Sequence, residues 1–283
     1  MNSSLLASGL LGIASAITWG AGDFCGGISS KTVRSLVVVF FSQLIGLVFL
    51  VALALITREP LPNLVDVGWG VVAGVAGLIG LSALYTALSR GNMGLVAPVT
   101  GVISTTMPVI FGALTQGLPH LLQLVGFALA IFAVALISRT DGDARMSASS
   151  LGLAILAGVS FGTFLILIAR TADDAVFWPL VAARTASVTC LSLLLVFRRE
   201  RVLPIASGAM LPIALSGMFD AAGNFLFVLA EQAGRLDVAG AISSMYPAST
   251  TVLALVLLKE KLKPWQVFGV LLSFAAIPLI VAA

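Results

Sequence analysis

The sequence predicts an all-α membrane protein of ten transmembrane helices, arranged as two inverted five-helix repeats. Three observations predict it. First, 59 % of the 283 residues are apolar and only 10 % are charged, against about 45–50 % and about 25 % in a soluble domain. Mean hydropathy is +1.13. So few charges cannot cover a water-facing surface, and so apolar a chain does not stay disordered. Second, ten apolar segments of spanning length follow one another with short connections. Ten helices of about 21 residues use roughly 210 residues, which leaves no room for a separate soluble domain. Third, the second half repeats the first at a steady offset.

In chain order the segments run over about 5–28, 34–57, 67–89, 94–115, 121–138, 150–170, 176–197, 209–232, 237–258 and 265–282. Segment one has no Lys or Arg at its start and is too long for a signal peptide. It ends in the more polar Trp19-Gly20-Ala21-Gly22-Asp23, which suits an internal wall. Arg58-Glu59-Pro60-Leu61-Pro62-Asn63 separates segments two and three. Asp141-Gly142-Asp143-Ala144-Arg145 lies at the chain midpoint and joins the halves, giving repeats over 1–140 and 149–283. Segment nine carries Ser243, Ser244 and Tyr246 just before Pro247. That proline removes a backbone N–H and can open a kink that offers carbonyls to a ligand. Pro98, Thr100 and Pro108 give segment four a comparable irregularity, and interrupted helices at matching positions of two halves point to a binding site.

Shifted by 142 residues, Trp19-Gly20 falls on Phe161-Gly162 and Leu84-Tyr85 on Leu226-Phe227. Shifted by 143, Gln123-Leu124-Val125-Gly126 falls on Gln266-Val267-Phe268-Gly269. Five spans is an odd number, so the second copy enters the bilayer from the opposite side. Such inverted repeats place a substrate site near the midplane, between the halves. Orientation follows from Lys and Arg. Eleven lie on one set of connections (Lys31, Arg34, Arg90, Arg139, Arg145, Arg198, Arg199, Arg201, Lys259, Lys261, Lys263) and three on the other (Arg58, Arg170, Arg235). The positive-inside rule puts the first set in the cytoplasm and both termini outside the cell membrane.

Other classes find little support. The net charge of +3 is spread over helix ends and does not call for a nucleic-acid partner. Cys25 and Cys190 sit in apolar runs and read as small core residues. The one histidine, His120, belongs to no zinc pattern, and there is no P-loop. No metal or other cofactor is expected. Transport, if this is a carrier, runs downhill or on an ion gradient.

An ionisable group inside a bilayer is costly and marks function by default. Asp220 lies mid-segment, with Asn224 one turn on and on the same helix face. It is read either as a site for a proton or a substrate ammonium, or as the structural partner of Arg184. Asp23 is read as a cavity residue or, preferentially, as a helix-end carboxylate paired with Lys31 and Arg34. Arg184 is read as holding the bundle together rather than touching substrate. Trp19, Tyr85, Phe161, Phe164 and Tyr246 are candidate walls of an apolar pocket, with Thr100, Ser243, Ser244, Asp220 and Asn224 as its polar lining. Gly70, Gly74 and Gly77 put small residues along one side of segment three, for close helix packing.

These residues resemble the drug/metabolite transporter superfamily, and within it the ten-span EamA group. The resemblance is carried by Trp19-Gly20 at the end of segment one, by the intramembrane Arg184 in Leu180-Val181-Ala182-Ala183-Arg184, and by the helix-end Glu260 in Leu257-Leu258-Lys259-Glu260-Lys261-Leu262. The first half departs from it. Gln116-Gly117-Leu118 stands where a Glu would be, and Ser42 or Gln43 near the place of an arginine. The resemblance covers the chain and implies a cavity lined mainly by helices one, three, four, six, eight and nine. It implies a carrier of small metabolites, similar to the YddG-type amino-acid exporters.

The reading is therefore a secondary transporter that works by alternating access as a monomer in the lipid bilayer. Its expected substrate is a small amphipathic metabolite, an amino acid on the resemblance, with export as the direction and protons as coupling ions. Two rivals stay open. One is a channel or a non-transporting membrane scaffold, of which a channel would show a ring of like polar residues or a continuous polar stripe. An intramembrane aspartyl protease would use Asp23, in the GxGD-like Gly20-Ala21-Gly22-Asp23, together with Asp220.

Overall fold

The computed structural model describes residues 3–89, 93–137, 148–172, 174–199, 202, 208–257 and 263–281. Apolar runs without backbone competitors fold as helices in a solvent that cannot satisfy peptide groups. The helices are α1 (Ser3–Ser30), α2 (Ser35–Thr57), α3 (Leu64–Ser89), α4 (Met93–Thr115), α5 (Leu121–Ile137), α6 (Ala148–Ile168), α7 (Phe177–Phe197), α8 (Met210–Ala233), α9 (Leu236–Ser243), α10 (Tyr246–Leu257) and α11 (Pro264–Val281). Among the described residues, six are long and apolar enough to cross a membrane: α1, α2, α3, α6, α7 and α8. α4, α5 and α11 contain shorter apolar stretches. The chain is a multi-pass membrane protein. Large apolar side chains such as Ile56, Leu114 and Val196 are exposed on the outside of the bundle, where lipid would cover them.

Ten segments become eleven helices among the described residues because segment nine is split. The ring of Pro247 excludes the Ser243 carbonyl it would otherwise bond. The backbone answers with tight bonds, from Met245 N–H to Ile242 O at 3.1 Å and from Ala248 N–H to Met245 O at 3.0 Å. Segment four does not behave alike: α4 runs unbroken through Pro98 and Pro108. Pro108 seats against Gly240 of α9, so α4 carries its proline as a packing knob rather than a break.

The halves pack into each other in matched pairs. α1 lies on α8 as α3 lies on α6, α2 on α8 as α7 on α3, and α5 lies along α11. Small residues permit the close crossings. A Cβ on Gly74 would collide with the Ala183 backbone (α3 on α7), and one on Gly217 with Ser42 (α2 on α8). Ser187 Oγ donates to Gly74 O at 2.9 Å, tying the α3–α7 crossing with a hydrogen bond, and Ser15 Oγ donates to Gly223 O at 2.8 Å, tying α1 to α8. Cys25 is half-buried, but Cys190 is exposed on the bundle exterior and is no core residue; an apolar run alone does not say which face a residue takes.

One face of the bundle is laced from half to half. Glu59 accepts hydrogen bonds from the backbone N–H groups of Val176, Phe177 and Trp178, the nearest at 2.8 Å. A carboxylate there satisfies the orphan donors and the positive end of α7. Ala172 N–H donates to Asp66 at 3.0 Å. Arg235 donates to the carbonyls of Gln116 and Gly117 and pairs with the fully buried Asp237 at 2.8 Å. Its hydrogen bonds with Asp237 push the guanidinium pKa further up, so this contact holds at any ordinary pH. Gly117 takes a left-handed φ of 91°, which aims its carbonyl at Arg235 without a Cβ penalty. Residues 138–147 and 258–262, including Arg139, Lys259, Glu260 and Lys261, lie outside the described residues.

Candidate functional site

Of three apolar clusters among the described residues, two border the site. One is built around Val38, Leu81, Leu191 and Ile213, the other around Leu50, Leu165, Leu180 and Phe227. Between them lies a cavity of about 90 Å³, room for several water molecules if it is hydrated. Both halves contribute to its wall. Helices α1, α2, α3 and α4 face α6, α7, α8 and the junction between α9 and α10. The resemblance implied helices one, three, four, six, eight and nine; α2 and α7 add Gln43 and Arg184.

Of the residues singled out from sequence, Trp19, Asp23, Phe161, Phe164, Arg184, Asp220, Asn224, Ser244 and Tyr246 come together on this cavity. Trp19 stacks on Phe227 at 6.0 Å and meets Tyr246 edge-on at 6.3 Å. Gly223 leaves room for its indole, since a Cβ there would run into the Trp19 ring. Phe161 and Phe164 lean on Gly80 and Gly77 of α3. The break before Pro247 turns Ser244 and Tyr246 inward.

Arg184 donates to Asp220 at 2.5 Å. The arginine side chain is 6 % exposed and the aspartate 30 %, and both line the cavity. Asp220 therefore has a fixed partner and is not a free carboxylate. Asp23 is different. The expectation that it pairs with Lys31 and Arg34 is not met, because it lies on the cavity wall, within electrostatic reach of Asp220. Trp19 and Asp23 are one helical turn apart and share an inward face, which points the carboxyl away from the loop. Gly22 brings α1 so near α8 that a Cβ on it would lie 3.1 Å from the Asp220 nitrogen.

Three candidates do not reach the cavity. Tyr85 is 3 % exposed within the first apolar cluster, its hydroxyl against Gly26 and Ser216. Thr100 is fully buried and donates to Ala154 O at 3.2 Å, tying α4 to α6. Ser243 is fully buried and donates to Gly12 O at 3.5 Å. Each faces a helix neighbour instead of the cavity. Conversely, Gln43, Ser104, Ser187 and the small residues Gly74, Gly77 and Ala183 line it. Gln43 is 5 % exposed, an amide in an otherwise apolar helix, and that isolation was its signal.

The chemistry available is two carboxyls, one guanidinium, two amides and four aromatic rings. This arrangement can hold the polar end of an amphipathic molecule while its apolar body meets the rings. It does not build a protease dyad. Two carboxyls activate water by sharing a proton, whereas Asp220 is committed to Arg184.

A crystal structure of another protein superposes on this chain with a TM-score of 0.75 at 14 % identity, covering 96 % of each; at that identity the likeness speaks for the fold. No curated protein matches the chain. The EamA-like transporter family matches twice, over residues 6–139 and 148–282, once in each half of the bundle that encloses the cavity. With nearly its whole length matched in two tandem copies, the chain belongs to the EamA-like transporter family.

Proposed function

We propose that this family member is a secondary transporter that moves a small amphipathic metabolite carrying an amino group, an amino acid foremost, outward across the cell membrane by alternating access. The observation that carries the reading is the cavity itself: polar groups from both halves converge on one space among apolar walls. On this reading the repeats over 1–140 and 149–283 form ten spans as a functional monomer, with both termini outside. The lacing by Glu59, Asp66 and Arg235 holds the halves together on the outer side and has to open for release. Protons are the coupling ions. The Arg184–Asp220 pair keeps the neutral balance of the wall, and Asp220→Asn leaves the protein folded but slows transport.

Counterflow in proteoliposomes tests this, with a panel of labelled amino acids and with or without a pH gradient. The reading expects exchange of one chemical class, accelerated by unlabelled substrate on the far side and responsive to pH. Flux that rises with concentration without saturation or trans-acceleration would mark a channel and overturn it.

A further inference from the structure

We propose that Asp23, rather than Asp220, is the ammonium-binding site of the cavity, and that it is occupied alternately by a substrate ammonium and by a proton. The inference rests on the carrier reading and deepens it.

The geometry isolates this carboxyl. Asp23 lines the cavity and makes no hydrogen bond or ion pair with the described residues. The titratable or charged groups within electrostatic reach of it are Asp220 from α8, Tyr246 from α10 and, behind the cavity wall, Tyr85 from α3, with Arg184 from α7 on the same wall. α2 and α11 contain no charged residue, and Asp237 on α9 is paired with Arg235. Among the described residues Arg184 is the one cation on the cavity wall, and it is bonded to Asp220. With both carboxyls ionised, the site would carry two negative charges and one positive. A desolvated site does not keep an uncompensated charge. Asp23 must therefore hold a proton, or meet a cation brought in by the ligand, and one carboxyl cannot do both at once.

The surroundings say what kind of cation. Trp19, one turn away on α1, and Tyr246 line the same cavity as Asp23 and meet each other edge-on, and aromatic rings attract an organic ammonium. Gln43 and Asn224 are 5 % and 6 % exposed, line the cavity, and have no hydrogen-bond partner among the described residues. These two buried amides offer donors and acceptors to the rest of a polar ligand end. The ligand class is an aromatic or apolar body bearing a protonated amine; a simple amine neutralises the site, whereas an amino acid meets Asp23 with its ammonium and brings a carboxylate of its own to the amides.

The test uses full-length protein in proteoliposomes and three probes with one body and different heads: phenethylamine, phenylalanine and 3-phenylpropionate. Counterflow is measured over a pH series for wild type, Asp23→Asn and Asp23→Glu, each confirmed as folded. The expected result is exchange of the two ammonium-bearing probes and not of 3-phenylpropionate, weakening as pH falls because protons occupy Asp23. Asp23→Asn should lower apparent affinity for the amine about tenfold or more, the worth of one charge-assisted bond, and should flatten the pH dependence. Asp23→Glu should restore both in part. Exchange of 3-phenylpropionate as fast as phenylalanine, or an Asp23→Asn variant with unchanged affinity and pH slope, overturns the assignment while leaving a working carrier. Exchange of none of the three also overturns it; the carrier reading is then judged separately, by the wider panel.

Discussion

At the scale of single residues, the cavity is a problem in charge. Arg184 is nearly enclosed and its partner Asp220 opens onto the cavity. Removing one member of such a pair strands the other, which costs more than the pair contributes. Arg184→Ala should therefore lower stability by about 3 kcal/mol, and Arg184→Ala with Asp220→Asn should recover much of the loss. Denaturant unfolding in detergent checks this, and equal stability of the single and double variants would contradict it. Charged and aromatic candidates were legible in the sequence because each stands out in an apolar segment: Trp19, Asp220 and Arg184 all reach the wall. Tyr85 was misplaced because composition does not fix how far along a helix the cavity reaches. Its ring packs among Val38, Val39 and Leu84 in the buried cluster, about one turn past the cavity residue Leu81. Ser187 was passed over as a cavity residue because serines are common in membrane helices, and Gln43 was noted only as standing near the place of an arginine.

At the scale of elements, helix pairs are set by small residues, and substitutions there should separate two kinds of glycine. Gly74→Ala pushes a methyl into the Ala183 backbone and should destabilise by about 1–3 kcal/mol. Gly152→Ala meets nothing within 4 Å and should be neutral or slightly stabilising, since Ala is the better helix former. A thermal-unfolding comparison of the two variants reads this directly. Glu59→Ala removes the acceptor for three N–H groups at the start of α7 and should cost about 1–2 kcal/mol; an unchanged melting temperature would show that the lacing on that face does not hold the halves. Segment lengths and order were legible from hydropathy, and the break in segment nine from Pro247. The continuity of α4 was not, because a proline states only that one bond is lost. Whether the helix bends depends on its neighbours, here Gly240 of α9.

At the scale of the whole molecule, two halves related by an offset in sequence become matched packing pairs: α1 on α8 with α3 on α6. That symmetry was legible in the offset of 142 to 143 residues, and it puts the cavity where the halves meet. The cavity's membership was only half legible, because it depends on which face each helix turns inward. A carrier built this way must expose the same residues to each side of the membrane in turn. Ser104, buried on α4 at the cavity wall, is a place to observe it. The decisive measurement is modification of Ser104→Cys, with Cys25 and Cys190 replaced, by a membrane-impermeant thiol reagent applied separately to each side of oriented vesicles. Alternating access predicts reaction from either side, slowed when the other side is occupied by substrate in excess. Reaction from one side only, whatever the substrate condition, would contradict the account and mark a blind pocket instead of a transport pathway.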